Sequence, residues 1–554
     1  MIETPRQFVQ AYSVHGSIRA IALAHSMSRH KVTKLYLAAK EQNLIDAIRV
    51  GNKSREQRKD PLPVMAGTVK AMRTPAFPLP KKGEVKRYLL SYAQNNTEIF
   101  EPLWENLMAL VNHPKLNCTL MIARGTYSKV CVAAADDKDR FMGKERDSST
   151  EYSWDSRVVD YLHDSRAEIA PGLVWCGEMN IMPTAVRPLS SMESYTGRKS
   201  AILPHPKICL ESIASGKYEN TKFNYTTGAV TMRNYIKRKA GLKADFHHSY
   251  GALLVEVNSE GAWWCRQLNA DSEGTIFDLG MRVEHGTVYM GSNVEAINWG
   301  DIHHIRLDSE VKELCWGKGG ILDSLKPKYQ FFNDILDFRS RNHHERGQAY
   351  KLLERYVEQE DDVEQEVESC MDFLEEVTVD YCSSVVVDSN HDQALSRWLQ
   401  ITDGHYDPVN MEFWHEANLQ LVRAIKNRDK FFSVLEWCYS RGGRENKNIK
   451  FLAEDESFVI CPDAHGGIEC GMHGHRGPNG SFGNALGYAK MGRKCNIGHS
   501  HTARILEGVY YAGVMADLDL GYNVGPSSWS RSMVITYPNG KRAIVTIWNG
   551  EYRA

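Results

Sequence analysis

Residues 383–392 read SSVVVDSNHD. Three consecutive valines behind two serines make a short β-branched run that stops abruptly at Asp388-Ser389-Asn390-His391-Asp392. An apolar run of this length, bounded by polar residues, describes a buried strand whose end delivers side chains to one edge of a sheet. Four other segments repeat the pattern. Ala296-Ile-Asn-Trp leads into Gly300-Asp301-Ile302-His303-His304, and Tyr329-Gln-Phe-Phe into Asn333-Asp334-Ile335-Leu336-Asp337. Ile468-Glu-Cys-Gly-Met472 leads into His473-Gly474-His475, and Lys494-Cys-Asn-Ile into Gly498-His499-Ser500-His501. Helix-like stretches such as 347–376 lie between the strands, as βαβ crossovers require. An α/β domain is therefore expected over 291–554, with its ligand at the carboxyl ends of the strands.

Five strand ends carrying oxygen and nitrogen donors, without cysteine, suit a hard-to-borderline divalent cation such as Mn, Fe or Zn. Seven such ligands exceed what one ion can take with room left for a substrate. Two ions sharing a carboxylate accommodate them, and a pair about 3.5–4 Å apart is a known device for cleaving phosphoesters.

The ordered blocks D-x-H, N-D-x-x-D, N-H-D, H-G-H and G-H-x-H resemble those of the calcineurin-like metallophosphoesterases, whose SbcD-type branch cuts DNA. The resemblance covers about 290–554 and implies a four-layer αββα sandwich there. By position it implies that Asp301, His303 and His501 hold one cation and that Asn390, His473 and His499 hold the other. Asp334 would bridge both, and His475 is the alternative to His473. His391 would contact the scissile phosphate and protonate the leaving alkoxide, with Asp392 orienting it. The implied cofactor is a pair of divalent ions, Mn(II) first, with Mg, Fe or Zn as alternatives. Asn333 and Ser389 stand where the family has glycine. His304, His343 and His344 read as surface or substrate-side groups. Arg504 and Arg531 would line the phosphate approach or form salt bridges. The hairpin predicted around Pro538-Asn539-Gly540 resembles the last one of the family's second sheet.

The rest of the chain is less specific. Of 554 residues, 42 % are apolar and 25 % charged, and mean hydropathy is -0.44; these values exclude a wholly disordered or membrane-spanning chain. Twelve cysteines occur with no C-x-x-C spacing, which points to reduced thiols in a cytoplasm. The net charge of -2 hides an asymmetry: residues 1–90 hold seventeen Lys/Arg against six Asp/Glu. Within this basic head, two short helices are expected, the second from Arg29 to about Lys40 with Ser28 as its cap. They read either as a helix-turn-helix or as a plain helical hairpin. Residues 1–75 are thus expected as a helical, DNA-docking domain with a linker to about 90. A mixed α+β domain of unassigned role is expected over 91–290.

A basic head on a two-cation phosphoesterase core favours nucleic acid as the substrate. At whole-chain level the sequence is also similar to the pre-early proteins by which two-step-transfer siphophages destroy host DNA. That resemblance implies a manganese-dependent DNase, exo- or endonuclease, acting on host DNA in an infected bacterial cytoplasm, with no membrane partner and as a homo-oligomer. A phosphoprotein or nucleotide phosphatase, and a DNA-binding regulator with a vestigial metal site, are the alternatives.

Overall fold

The computed structural model describes residues 2–15, 18–41, 74–127, 154–216, 219–342, 345, 348–464 and 466–554. They belong to two compact units, 1–73 and 74–554. His343 and His344 lie outside the described residues, as does the linker stretch 42–73.

The first unit contains helices Pro5–His15, Ile18–Ala24 and Arg29–Glu41. Phe8, Ile21, Val32 and Ala39 are fully buried between them. Ser28 Oγ accepts the Lys31 N–H at 3.3 Å and so caps the third helix, relieving one of its unpaired N–H groups. The two helices expected from the sequence are present, and a third, Pro5–His15, packs with them. The linker was expected to run to about residue 90, but Lys86–Gln94 is a strand. It lies inside a four-stranded sheet, between Cys118–Gly125 and Gly251–Val257, because its Leu89, Leu90, Tyr92 and Ala93 are completely buried.

In the second unit, five strands carry the blocks read from the sequence: β1 (Ala296–Asn298), β2 (Tyr329–Phe332), β3 (Ser383–Val386), β4 (Ile468–Glu469) and β5 (Lys494–Ile497). The parallel run β3-β2-β1 lies in a six-stranded sheet, flanked by Ile449–Phe451 on one side and the hairpin Ser532–Thr536/Arg542–Thr546 on the other. β4 and β5 are parallel neighbours in a ten-stranded sheet. The C-terminal hairpin therefore joins the sheet of β1 to β3, not the second sheet as the resemblance implied, since β1 pairs with Ser532–Thr536.

Strand periodicity sorts the side chains. Ala296, Phe331 and Val385 pack with Ile460, Ile468 and Cys470 in one cluster joining the two sheets. Ile297, Phe332 and Val386 belong to a second cluster, with helices Val363–Val377 and Asp392–Ile401. Beyond β5, Cys495 and Ile497 pack on Ala485 and Tyr488 of a short helix. The result is a mixed α/β unit layered around sheets. Full burial of a large apolar side chain contributes about 1.5–3 kcal/mol, so the strands are anchored on both faces.

The expected separate domain over 91–290 is not a body of its own. Strand Leu210–Ile213 pairs antiparallel with Arg504–Leu506, so the ten-stranded sheet draws half its strands from before residue 290. An unpaired Arg504–Leu506 edge would expose its ladder groups, and the earlier segment covers them.

Candidate metal centre

All five loops leave the carboxyl ends of β1 to β5, and backbone hydrogen bonds tie the first to the second and the fourth to the fifth. Ile302 N donates to Asn333 O at 3.0 Å, His303 N to Asp334 O at 2.7 Å, and Gly498 N to His473 O at 2.7 Å. His303, Asp334, His499 and His501 all adopt left-handed backbone, with φ between 43° and 71°. Each such residue costs on the order of 1 kcal/mol, so strain is concentrated on the side chains that face inward. Gly498 is the point of closest approach: a Cβ there would stand 2.2 Å from Asp301 Oδ1.

The side chains form two adjoining groups. In the first, His501 Nε2 lies 3.0 Å from His303 Nε2 and 3.1 Å from Asp301 Oδ2. In the second, Asn390 Oδ1 lies 2.9 Å from both His473 Nε2 and His499 Nδ1. Asp334 stands between them, its Oδ2 3.2 Å from His473 Nε2 and 4.0 Å from His303 Nε2. All seven residues expected as ligands are thus brought together. Asp301, His303, Asp334 and His501 are buried and have ligand atoms close enough to share one metal ion.

The donor set fits a cation. Both carboxylate oxygens of Asp301 are buried without a well-formed hydrogen bond, and the facing Nε2 atoms of His303 and His501 can share at most one proton. Two ligands at about 2.1 Å and right angles on one ion stand about 3.0 Å apart, which is the spacing these atoms adopt. Burial raises the Asp334 pKa, but the charges of His473, His391 and His303 outweigh it and hold the carboxyl well below its usual range. Burial lowers the His473 pKa, yet Asp334 and Asp301 carry it up to about 9.

Neighbouring groups set the imidazole orientations, as a metal site requires. Asn333 Oδ1 lies 3.2 Å from His473 Nδ1, and Asp337 Oδ1 lies 3.0 Å from His303 Nδ1. Ser389 Oγ accepts the Asp334 N–H at 3.1 Å and donates to Asp392 Oδ2 at 2.7 Å. Asn333 and Ser389 thus support the loops they stand in. His391 lies against the His303 ring at 4.6 Å; its N–H donates to Asp334 Oδ1 at 3.0 Å, and its Nδ1 meets Asp337 O at 2.8 Å.

The orienting role expected for Asp392 is not what the contacts show. Its carboxyl is taken by Ser389 Oγ and by Leu336 N at 3.0 Å, and burial beside Asp334 raises its pKa to about 7. Asp337, quoted in the second block without a role, is the group beside His391; its place at the end of N-D-x-x-D was the available signal. His475 stands next to the centre, its ring 5.4 Å from His473 and 6.1 Å from His499, with both ring nitrogens buried and without a hydrogen-bond partner. His304 is turned away, stacked on Phe373 and bonded to Ser369 Oγ. Arg504 and Arg531 are paired with Glu211 and Asp308. Sequence reading missed Tyr522, whose pKa is raised by burial and by Asp337, Asp334 and Asp301. It also missed Arg397, exposed at the centre with Nη2 on Asn390 O at 2.7 Å.

Comparison with curated proteins finds 37 % identity over 480 residues to "Protein A1" of Escherichia phage T5, covering 85 % of this chain and 83 % of that protein. The chain belongs to the protein A1 family. The shared length takes in most of the second unit of this A1-family chain, since 480 aligned residues exceed what the first 73 can hold. No family model matches the chain. Among the described residues, no helix is long and apolar enough to cross a membrane.

Proposed function

We propose that this chain is a metal-dependent DNA nuclease of the metallophosphoesterase type, hydrolysing phosphodiesters with two divalent cations, Mn(II) first among them. The observation that carries this reading is the convergence of seven donors in two groups about the single carboxylate of Asp334. Asp301, His303 and His501 would hold one cation, Asn390, His473 and His499 the other, and Asp334 both. Bound there, the pair would act as Lewis acids on the phosphoryl group and lower the pKa of water.

The chain's own residues supply the remainder. Asp337 and Asn333 fix which nitrogen of His303 and His473 faces inward. The His391 Nδ1 proton is committed to the Asp337 carbonyl, which leaves Nε2 as the atom that holds and delivers a proton to the leaving oxygen. Arg397 offers an exposed guanidinium for the adjoining phosphate, and the basic first unit would dock DNA through its backbone charge. Membership of a family with a phage relative supports degradation of host DNA inside the infected cell.

The test is incubation of purified protein with linear DNA, circular DNA and p-nitrophenyl phosphate, in Mn(II) or Mg(II). Loss of DNA supports the nuclease. Dye release alone would make the chain a phosphatase, and neither would leave a DNA-binding regulator.

A further inference from the structure

A second feature lies at the other end of β5 from the metal centre. β5 begins at Lys494 and its following loop delivers His499 to the metal centre, so the two are about 16 Å apart at roughly 3.3 Å per residue. Around Lys494 opens a cavity of about 1080 Å³, of the size that takes a drug-sized ligand. Its walls come from the start of β5, the turn at Gly508, the hairpin at Lys541 and the segment Phe246–Tyr250.

Its charge is only partly compensated, since six Lys/Arg side chains line it against Asp245, Asp271 and Glu507. Lys494, Lys541, Arg542 and Arg233 all line it. None of the four is in a salt bridge among the described residues, whereas Lys207, on the same wall, is paired with Glu507 at 2.8 Å. Arg542 is buried; its guanidinium lies over the Tyr510 ring at 4.0 Å and donates to uncharged acceptors, Cys495 O, Asn496 Oδ1 and Gly508 O. Asp271, the acid nearest Lys541 in effect, already accepts from Asn539 Nδ2 at 2.9 Å and from two backbone N–H groups. Burial together with Arg542 and Lys541 pushes the Lys494 pKa down to about 8. Lys494, Lys541 and Arg542, partly or wholly removed from solvent and without ion-pair partners among the described residues, carry a desolvation cost that a bound anion lowers.

The other wall is aromatic. Tyr250 stacks on Phe100 at 4.1 Å with Arg233 over its ring at 5.5 Å, and Phe246 is 80 % exposed at the cavity. Inorganic phosphate would fill a small part of such a space and leave the exposed face of Phe246 unused. We propose that the cavity binds a nucleoside 5′-monophosphate, with Lys494 and Lys541 on the phosphate and the exposed ring of Phe246 against the base. This site is separate from the metal centre and does not rest on the nuclease reading.

The test is calorimetric titration of the full chain, in EDTA so that the metal centre takes no part, with dAMP, deoxyadenosine and inorganic phosphate. dAMP should bind at least roughly tenfold more tightly than either part alone, since charged hydrogen bonds and base stacking each contribute about that factor. The double variant K494Q/K541Q should lose at least about tenfold in affinity while keeping its circular dichroism melt. Phe246→Ala, at an exposed side chain that leaves the fold untouched, should lose roughly fivefold or more. Absence of dAMP binding up to millimolar concentration would overturn the proposal, as would phosphate binding as tightly as dAMP. Unchanged affinity in the folded double variant would do the same, and should that variant not fold, unchanged affinity in Phe246→Ala decides against it.

Discussion

Replacing His391 by Ala separates chemistry from metal binding. The side chain is 15 % exposed; its ring packs against His303 but lies outside the buried group formed by Asp301, His303, Asp334 and His501. Its backbone N–H, which binds Asp334 Oδ1, survives the substitution. The lost interaction is Nδ1 to Asp337 O, worth about 1 kcal/mol of stability, so the fold and its metal content should persist. If Nε2 protonates the leaving oxygen, DNA turnover falls about 10²–10⁴-fold, or about 2.7–5.4 kcal/mol in the barrier. An aryl phosphodiester departs as a stabilised phenolate and has little use for that proton. On bis(p-nitrophenyl) phosphate the same variant should therefore lose far less. The assay is kcat on DNA and on the aryl ester with wild type and variant, beside metal analysis of both proteins. Near-normal DNA cleavage, or equal losses on the two substrates, would refute the proton-donor role; loss of bound metal would instead make His391 part of the ligand frame.

Four further outcomes follow from the contacts. Gly498→Ala places a Cβ against Asp301 Oδ1 and should cut metal content by elemental analysis while leaving the ten-stranded sheet intact by circular dichroism; full metal loading would contradict the close approach. Ser389→Ala leaves Asp334 N and Asp392 without their partner, costing about 1–3 kcal/mol, seen as a melting point lower by several degrees. His205 and His248 are buried, and burial pushes their pKa down to about 4 and about 3. Unfolded histidine takes up its proton near pH 6.5. Between about pH 6.5 and 4 the unfolded chain thus binds more protons, and stability should fall with acid by up to about 1.4 kcal/mol per pH unit for each residue. Urea midpoints at pH 7 and 5 check this, and the slope should flatten in His248→Gln. Removing residues 1–73 should raise KM for DNA and flatten its dependence on salt without affecting a small phosphate ester; an unaltered salt slope argues against docking by the first unit.

The Lys494–Lys541 cavity and the metal centre were unequally legible. Donors of the centre stand next to strand ends, and a strand with two buried faces announces itself as a short apolar run cut off by polar residues. That local signal, repeated at Asp301, Asp334, Asn390, His473 and His499, was sufficient to propose which side chains meet. Nothing local marks Lys494, Lys541, Arg233 and Tyr250 as neighbours, because they come from four segments joined only by sheet pairing and packing.

By itself, then, the chain's sequence determined the five strand ends, the donor types on them and the helices Ile18–Ala24 and Arg29–Glu41, all products of short-range periodicity and capping. Tertiary structure decided the rest. It merged residues 166–226 into the sheet of β4 and β5, since a hydrogen-bonding edge takes whichever strand reaches it. It exchanged Asp392 for Asp337 beside His391, because a carboxylate's partner depends on where a left-handed turn at Asp334 points the loop. It also left four basic side chains lining the Lys494–Lys541 cavity without ion-pair partners among the described residues, a matter of distances across the sheet that no spacing along the chain encodes.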